Sequence, residues 1–274
     1  MKEDFAIFIL SHNRAKEIDT LRMLQRYCYS GKYYVVISTD DTQIEDYKRI
    51  IDKDKLLIFN KEDYLETQDT FVSSQRPLIS ASLYARNYIL QNAKRMGLKH
   101  FIMADDDIQE IFFRYELNGK MKVCKMERID DSLIAMREFL DSSKHIGGLC
   151  LALDDGYFGG LHGYFSKGMT RKIFQFMMFK TLEEWQFVGA RCEDYILSML
   201  HKDRLFFAIW LMSIKTPKMS TNSGGIEYAR DLYYEPLFSM VVEPSGIEAL
   251  PYGKRKIFEN RILPKIISSK YKRI

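Results

Sequence analysis

Phe101-Ile102-Met103-Ala104-Asp105-Asp106-Asp107 is the stretch that decides the fold. Four uninterrupted apolar residues read as a strand buried on both faces, the form strands take in a parallel sheet covered by helices. The run ends in three adjacent carboxylates. These repel one another unless a cation or hydrogen-bond donors neutralise them, and in an open α/β sheet ligands bind at the carboxyl ends of the strands. The combination predicts a divalent-cation site at a sheet edge. For a triplet taken alone, the alternative is a solvated acidic turn capping the next helix.

The chain before this stretch alternates strand and helix. Residues 5–10 form a six-residue apolar run that stops at Ser11-His12-Asn13-Arg14, after which Leu21, Leu24 and Tyr27 or Cys28 recur at helical spacing. Residues 33–37 predict a second strand, followed by the polar turn Ser38-Thr39-Asp40-Asp41 and a short helix with apolar Ile44, Tyr47 and Ile51. Residues 56–59 predict a third strand. A long connection over 60–80, containing Pro77, leads to a helix over 81–96 closed by Gly97. Such alternation implies βαβ units and the α/β class with a mainly parallel central sheet. No G-x-G-x-x-G follows the first strand and no Walker loop is present, so neither a dinucleotide oxidoreductase nor a P-loop enzyme is supported.

After the acidic triplet the pattern is less regular. Asn118-Gly119 between two strand-like runs is a hairpin signal. A helix over 130–140, a strand near 149–153 and Gly159-Gly160 follow. The apolar run 205–214 is half the length of a membrane span and reads as a buried strand or helix.

Composition excludes several classes. A chain of 274 residues with 46% hydrophobic content can bury a substantial core. Cys28, Cys124, Cys150 and Cys192 form no C-x-x-C pair, which argues against structural zinc and against a disulfide scaffold. His12, His100, His145, His162 and His201 lack metal-ligand spacing. The acidic start and the short apolar run behind it do not form a signal peptide, so a reducing cytoplasm is the expected location. The net charge of +4 is uneven: residues 254–274 carry +7, which leaves −3 on the first 253. That tail is either a solvated end or a polyanion contact.

Three polar clusters could carry chemistry. Ser11 to Arg14 caps the first strand and can offer amides, a hydroxyl and a guanidinium to a nucleotide. Asp105 to Asp107 caps the fourth strand and suits Mg²⁺ or Mn²⁺, which take a few carboxylates and share their remaining positions with phosphate and water. Glu193-Asp194 opens a helix, either as acids stabilising its dipole or as a general base.

The ordered set of Ser11-His12-Asn13-Arg14, Asp40, Tyr84-Ala85-Arg86-Asn87, Asp105-Asp106-Asp107 and Glu193-Asp194 resembles GT-A glycosyltransferases. It is most similar to the TET-associated glycosyltransferase family of bacteriophages and related mobile elements, proposed to glycosylate hydroxymethylpyrimidines in DNA. The resemblance extends through Asn60-Lys61-Glu62-Asp63-Tyr64, Gly159-Gly160, Ser223-Gly224-Gly225 and Pro264-Lys265-Ile266-Ile267. It implies a single GT-A-like domain over 1–253, with a nucleotide-sugar half at 1–107 and an acceptor half at 108–253, and then a basic segment at 254–274.

The resemblance also implies roles. Ser11, Asn13 and Arg14 would line the donor nucleotide, that of a UDP-sugar, and Asp40 would accept from a uracil imide. Arg86 would meet phosphate or sugar, its alternative being an ion pair. Asp105 or Asp106 would touch ribose, and Asp107 with Asp105 would bind Mn²⁺ or Mg²⁺. Asp194 would be the base, with Glu193 as its substitute. The family's C-terminal histidine segment reads Lys256-Ile257-Phe258-Glu259-Asn260-Arg261 here, so Glu259, Asn260 or water would complete the metal shell. Asp69-Thr70 runs into Phe71-Val72-Ser73-Ser74-Gln75-Arg76, a second departure. The expected function is sugar transfer to DNA in the cytoplasm, that of the host if the chain is phage-encoded. The alternatives are a glycan, lipid or protein acceptor, or a non-catalytic nucleotide- or DNA-binding module.

Overall fold

A computed structural model of the chain describes residues 3–67, 81–154, 173–181, 185–188, 193–201 and 203–217. The described strands form one sheet in the order β3-β2-β1-β4-β8-β7-β9-β5-β6. Strands β1 (Phe5–Leu10), β2 (Lys32–Ser38), β3 (Leu56–Phe59) and β4 (His100–Asp105) run parallel, with β1 between β2 and β4. Their crossovers carry helices α1 (Asp19–Arg26), α2 (Ile44–Ile50) and α3 (Ala81–Arg95).

Every residue of β1 is buried, which is why its sequence shows no alternation. Phe5, Ile7 and Ile9 pack in one core with Met23 and Leu24 of α1 and Tyr47 of α2. Ala6, Phe8 and Leu10 pack in a second core with Leu83, Tyr84 and Ile89 of α3. Each large apolar side chain buried this way contributes about 1.5–3 kcal/mol. A polar substitution anywhere along β1 therefore costs more than a surface contact can return.

The second half follows as β5 (Glu110–Leu117), β6 (Lys120–Lys125), α4 (Asp130–Asp141), β7 (Ile146–Leu153), β8 (Phe176–Lys180), α5 (Glu193–Leu200) and β9 (Leu205–Lys215). Asn118 and Gly119 have φ of 54° and 72°, the two positive values that a type I′ hairpin turn requires. Gly97, at φ 66°, lies just past α3 in the left-handed conformation common after helix ends. The 205–214 run is a strand. The connection after β3 begins with a 3-10 helix, Lys61–Thr67.

The parallel arrangement read from the sequence holds through β3-β2-β1-β4 and recurs between β7 and β9. Antiparallel pairing enters where β8 inserts between β4 and β7, and again in the hairpin β5–β6 and its join to β9. The start of β8 thereby meets the carboxyl end of β4. Among the described residues no helix is long and apolar enough to cross a membrane. Gly159-Gly160, Ser223-Gly224-Gly225, Glu259 and the basic segment 254–274 lie outside the described residues.

Candidate active site

The carboxyl ends of β1, β2 and β4 converge on one edge, and the loops leaving them are cross-linked by side chains. Thr20 of α1, fully buried, fixes the acidic triplet. Its hydroxyl donates to the Asp105 carbonyl at 2.5 Å and accepts from the Ile108 N–H at 3.0 Å, while its own N–H donates to the Asp106 carbonyl at 3.0 Å. The turn is thus held by its backbone, which leaves the carboxylates to face their own partners.

Each of the three has a different environment. Asp106 is buried and accepts from Ser11 Oγ at 2.6 Å and from Arg14 at 3.0 Å, one partner per oxygen. Burial raises its pKa, and the Ser11 and Arg14 bonds pull against that. Asp105 is pushed up to about 7 by burial, opposed by Arg86 and reinforced by Asp107, Asp106 and Glu193. Asp107 is also raised by burial against the charge of Arg14, and its Oδ1 is buried without a hydrogen-bond partner.

The loop after β1 is locked to the loop after β2. Asn13, at φ 54°, donates its N–H to Asp41 at 2.7 Å and accepts from the Thr42 N–H at 2.9 Å. Tyr47, fully buried, bonds Ser11 Oγ at 2.7 Å and accepts the Arg14 N–H at 3.0 Å. Burial drives its phenol up to about 12, so it stays a neutral hydrogen-bonding post. Asp40 is half-exposed and takes Ser38 Oγ at 2.5 Å and Lys61 Nζ at 2.7 Å. Burial works against its charge, but the Lys61 and Ser38 bonds prevail and its pKa is lowered. A shallow cavity of about 270 Å³ beside this loop is lined by Asn13, Arg14, Lys16, Glu17, Gln43 and Asp46.

Arg86, on α3, ties the β4 edge to α5. It is buried, donates to Glu193 Oε1 at 2.6 Å, sits 3.6 Å from Asp105 Oδ1 and lies over the Phe187 ring at 5.6 Å. Burial opposes its charge, yet Glu193, Asp105 and Asp194 outweigh that and raise its pKa. Glu193 is buried as well, and also accepts from Ser82 at 2.9 Å. Asn87, one residue on from Arg86, clamps the Phe187 backbone with bonds of 2.8 and 2.9 Å. Asp194, in the first turn of α5, is partly exposed and within electrostatic reach of Arg86.

Ser11, Arg14, Asp105, Asp106, Arg86 and Glu193 therefore form one connected network, with Asn13 and Asp40 on its β2 side. Arg86 takes the ion-pair role. Glu193 is committed to it. Thr20, Asp41 and Tyr47 are organisers of the site that the sequence reading missed. The partners in these bonds lie 28 to 88 residues away, and no local pattern reports such pairings.

The acid pair suits a divalent cation. Asp107 has an orphaned buried oxygen, and Asp105 sits among more carboxylates than nearby donors neutralise. No cluster of three histidine, cysteine, aspartate or glutamate side chains suited to a metal occurs among the described residues. Asp105 and Asp107 could hold Mg²⁺ or Mn²⁺ only together with diphosphate and water oxygens.

Parallel strands ordered 3-2-1-4, an antiparallel neighbour beside β4 and an acidic triplet at its carboxyl end make an α/β fold with its candidate site at the carboxyl edge of the sheet. The family model of the TET-Associated Glycosyltransferases matches residues 5–225, and the chain belongs to that family. No curated protein matches it. Among solved structures it is similar to glucosyl-3-phosphoglycerate synthase from Mycobacterium tuberculosis, in complex with Mg²⁺ and uridine diphosphate. The identity is 11% and the TM-score 0.46, with 89% of this chain and 81% of that chain covered.

Proposed function

We propose that this glycosyltransferase uses a nucleoside diphosphate sugar, a UDP-sugar, and transfers the sugar to the hydroxyl of a 5-hydroxymethylpyrimidine in DNA. The observation that carries the donor reading is the pair Asp105 and Asp107 at the end of β4, with a buried carboxylate oxygen that no protein group satisfies. Bound there, Mg²⁺ or Mn²⁺ supplies the positive charge that stabilises the leaving diphosphate. Ser11, Asn13 and Arg14 hold the nucleoside. Asp40 keeps acceptor capacity for an imide N–H beyond its bonds to Ser38 and Lys61. Arg86 fixes Asp105 relative to α5.

In the transfer, the acceptor oxygen forms a bond to the anomeric carbon, the bond from that carbon to the diphosphate breaks, and the acceptor proton passes to Asp194. Such a base is worth roughly 10²- to 10⁴-fold in rate. The acceptor reading draws on the family and on the +7 charge of residues 254–274. A substituent on C5 of a pyrimidine projects into the major groove, so the enzyme reaches into that groove or extrudes the base at a cost of a few kcal/mol. The chemistry belongs in the cytoplasm, where nucleotide-sugars and DNA meet.

The test is to incubate hydroxymethylated and unmodified duplexes with a panel of UDP- and GDP-sugars and Mn²⁺, digest to nucleosides and weigh them. The expected result is the mass of one sugar added per hydroxymethylated base and none on unmodified DNA. Transfer to a glycan, lipid or protein with no DNA adduct would replace the acceptor while leaving the donor reading intact.

A further inference from the structure

Gln175 lies one residue before β8, directly across from Asp105, whose N–H donates to the Gln175 carbonyl at 2.8 Å. Its φ is 52°, and the Phe176 N–H donates to the Phe174 carbonyl across it at 2.5 Å. An i to i+2 hydrogen bond around a residue of positive φ marks the rare, strained form of γ-turn. Glycine adopts such a backbone without steric cost, whereas a residue with a Cβ does not. The Gln175 side-chain Oε1 is also buried, with no hydrogen-bond partner. One residue thus combines backbone strain with an unsatisfied polar atom, and neither stabilises the fold. Features of this kind concentrate where a ligand supplies the missing interaction.

The position narrows the ligand group. Oε1 is an acceptor, so it repels diphosphate oxygens and calls for a hydroxyl or N–H. The sheet order β2-β1-β4-β8 puts Gln175 on the flank of β4 opposite to β1 and β2. Ser11, Asn13 and Asp40, assigned above to the nucleoside, lie on the β1 and β2 side. A donor that crosses the edge with its diphosphate at Asp105 and Asp107 extends its sugar toward β8. We propose that Gln175 Oε1 accepts a hydrogen bond from a hydroxyl of the transferred sugar and so helps select it. The assignment rests on the UDP-sugar reading of the previous section.

Two variants test it. Gln175→Leu removes the amide and keeps a Cβ in the strained turn; Gln175→Gly removes the amide and relieves the turn. Binding of UDP and of UDP-glucose, UDP-galactose and UDP-N-acetylglucosamine is measured by calorimetry with Mn²⁺. Both variants are expected to bind UDP as the wild type does and to lose about tenfold in affinity for the preferred UDP-sugar, the worth of one hydrogen bond. Gln175→Gly is also expected to melt at a higher temperature than the wild type without ligand. Unchanged UDP-sugar affinity overturns the assignment, as does an equal loss for UDP, which would put the group on the diphosphate. A wild-type protein that binds neither UDP nor any UDP-sugar overturns the donor reading itself, and with it this assignment.

Discussion

Glu193→Ala separates a structural from a catalytic role for the first acid of Glu193-Asp194. Glu193 and Arg86 are both about 7% exposed at the side chain and 2.6 Å apart, so removing the carboxylate strands a buried guanidinium. Breaking a buried pair from one side costs about 3–5 kcal/mol. Asp105, 3.6 Å from Arg86, remains as a second partner, and the lower end, about 3 kcal/mol, is the expected value. For a chain of this size each kcal/mol moves the melting temperature by about 2–4 °C, giving a drop of about 6–12 °C. Glu193→Gln keeps an oxygen for Ser82 and Arg86 and loses less. Arg86→Met combined with Glu193→Leu removes both charges and recovers part of the stability lost in Glu193→Ala, because the stranded guanidinium is gone, and the recovery is partial because Asp105 loses its cation. Thermal melts of the single and double variants read this directly. Both single variants lose activity as Asp105 shifts, so melting is the readout that discriminates. A Glu193→Ala protein that melts within about 1 °C of the wild type yet no longer transfers sugar would refute the argument and make Glu193 part of the chemistry.

Three further outcomes are expected. Asp107→Ala should abolish Mn²⁺-dependent binding of UDP-sugar in calorimetry without lowering the melting temperature, since its buried Oδ1 has no protein partner to lose; undiminished donor affinity would remove Asp107 from the metal site. Asp194→Asn should cut the transfer rate by about 10²- to 10⁴-fold with donor binding retained, and a rate near wild type would assign the proton to another group. The Tyr27 hydrogen bond, aided by Arg26 against partial burial, holds the Glu110 pKa below its ordinary 4.5. The stability Glu110 provides is therefore complete above pH 4.5 and is lost as pH falls through the lower folded value. Melting curves from pH 5.5 to 3 should fall more steeply for the wild type than for Glu110→Gln, and parallel slopes would contradict the linkage.

The sequence disclosed what short-range physics controls. β1 and β3 begin and end where their apolar runs do, and Asn118-Gly119 forms the expected hairpin turn because only residues tolerant of positive φ fit it. The acidic triplet was legible because charge next to a buried strand is conspicuous. The insertion of β8 was not, since an apolar run carries no mark of its neighbour or its direction. Asp40 and Asp41 look alike in sequence; the fold buries Asp41 against Asn13 and Gln43 and leaves Asp40 half-exposed beside Lys61. Arg86 could be read as a ligand contact or an ion pair, and the partner it pairs with, Glu193, lies 107 residues away, beyond any local pattern.

The place of β8 also sets an order of events during synthesis. β4 pairs with β1 as soon as residues 5–10 and 100–105 are available, but its other edge stays open until residues 176–180 have left the ribosome. At about 5–20 residues per second, that is a wait of roughly 4–15 s. Throughout it a strand with the apolar run Phe101 to Ala104 shows bare amides and carbonyls to whatever passes, with the acidic triplet at its tip. The three like charges, costly in the finished site, are then an asset: they repel a second nascent chain from this open edge.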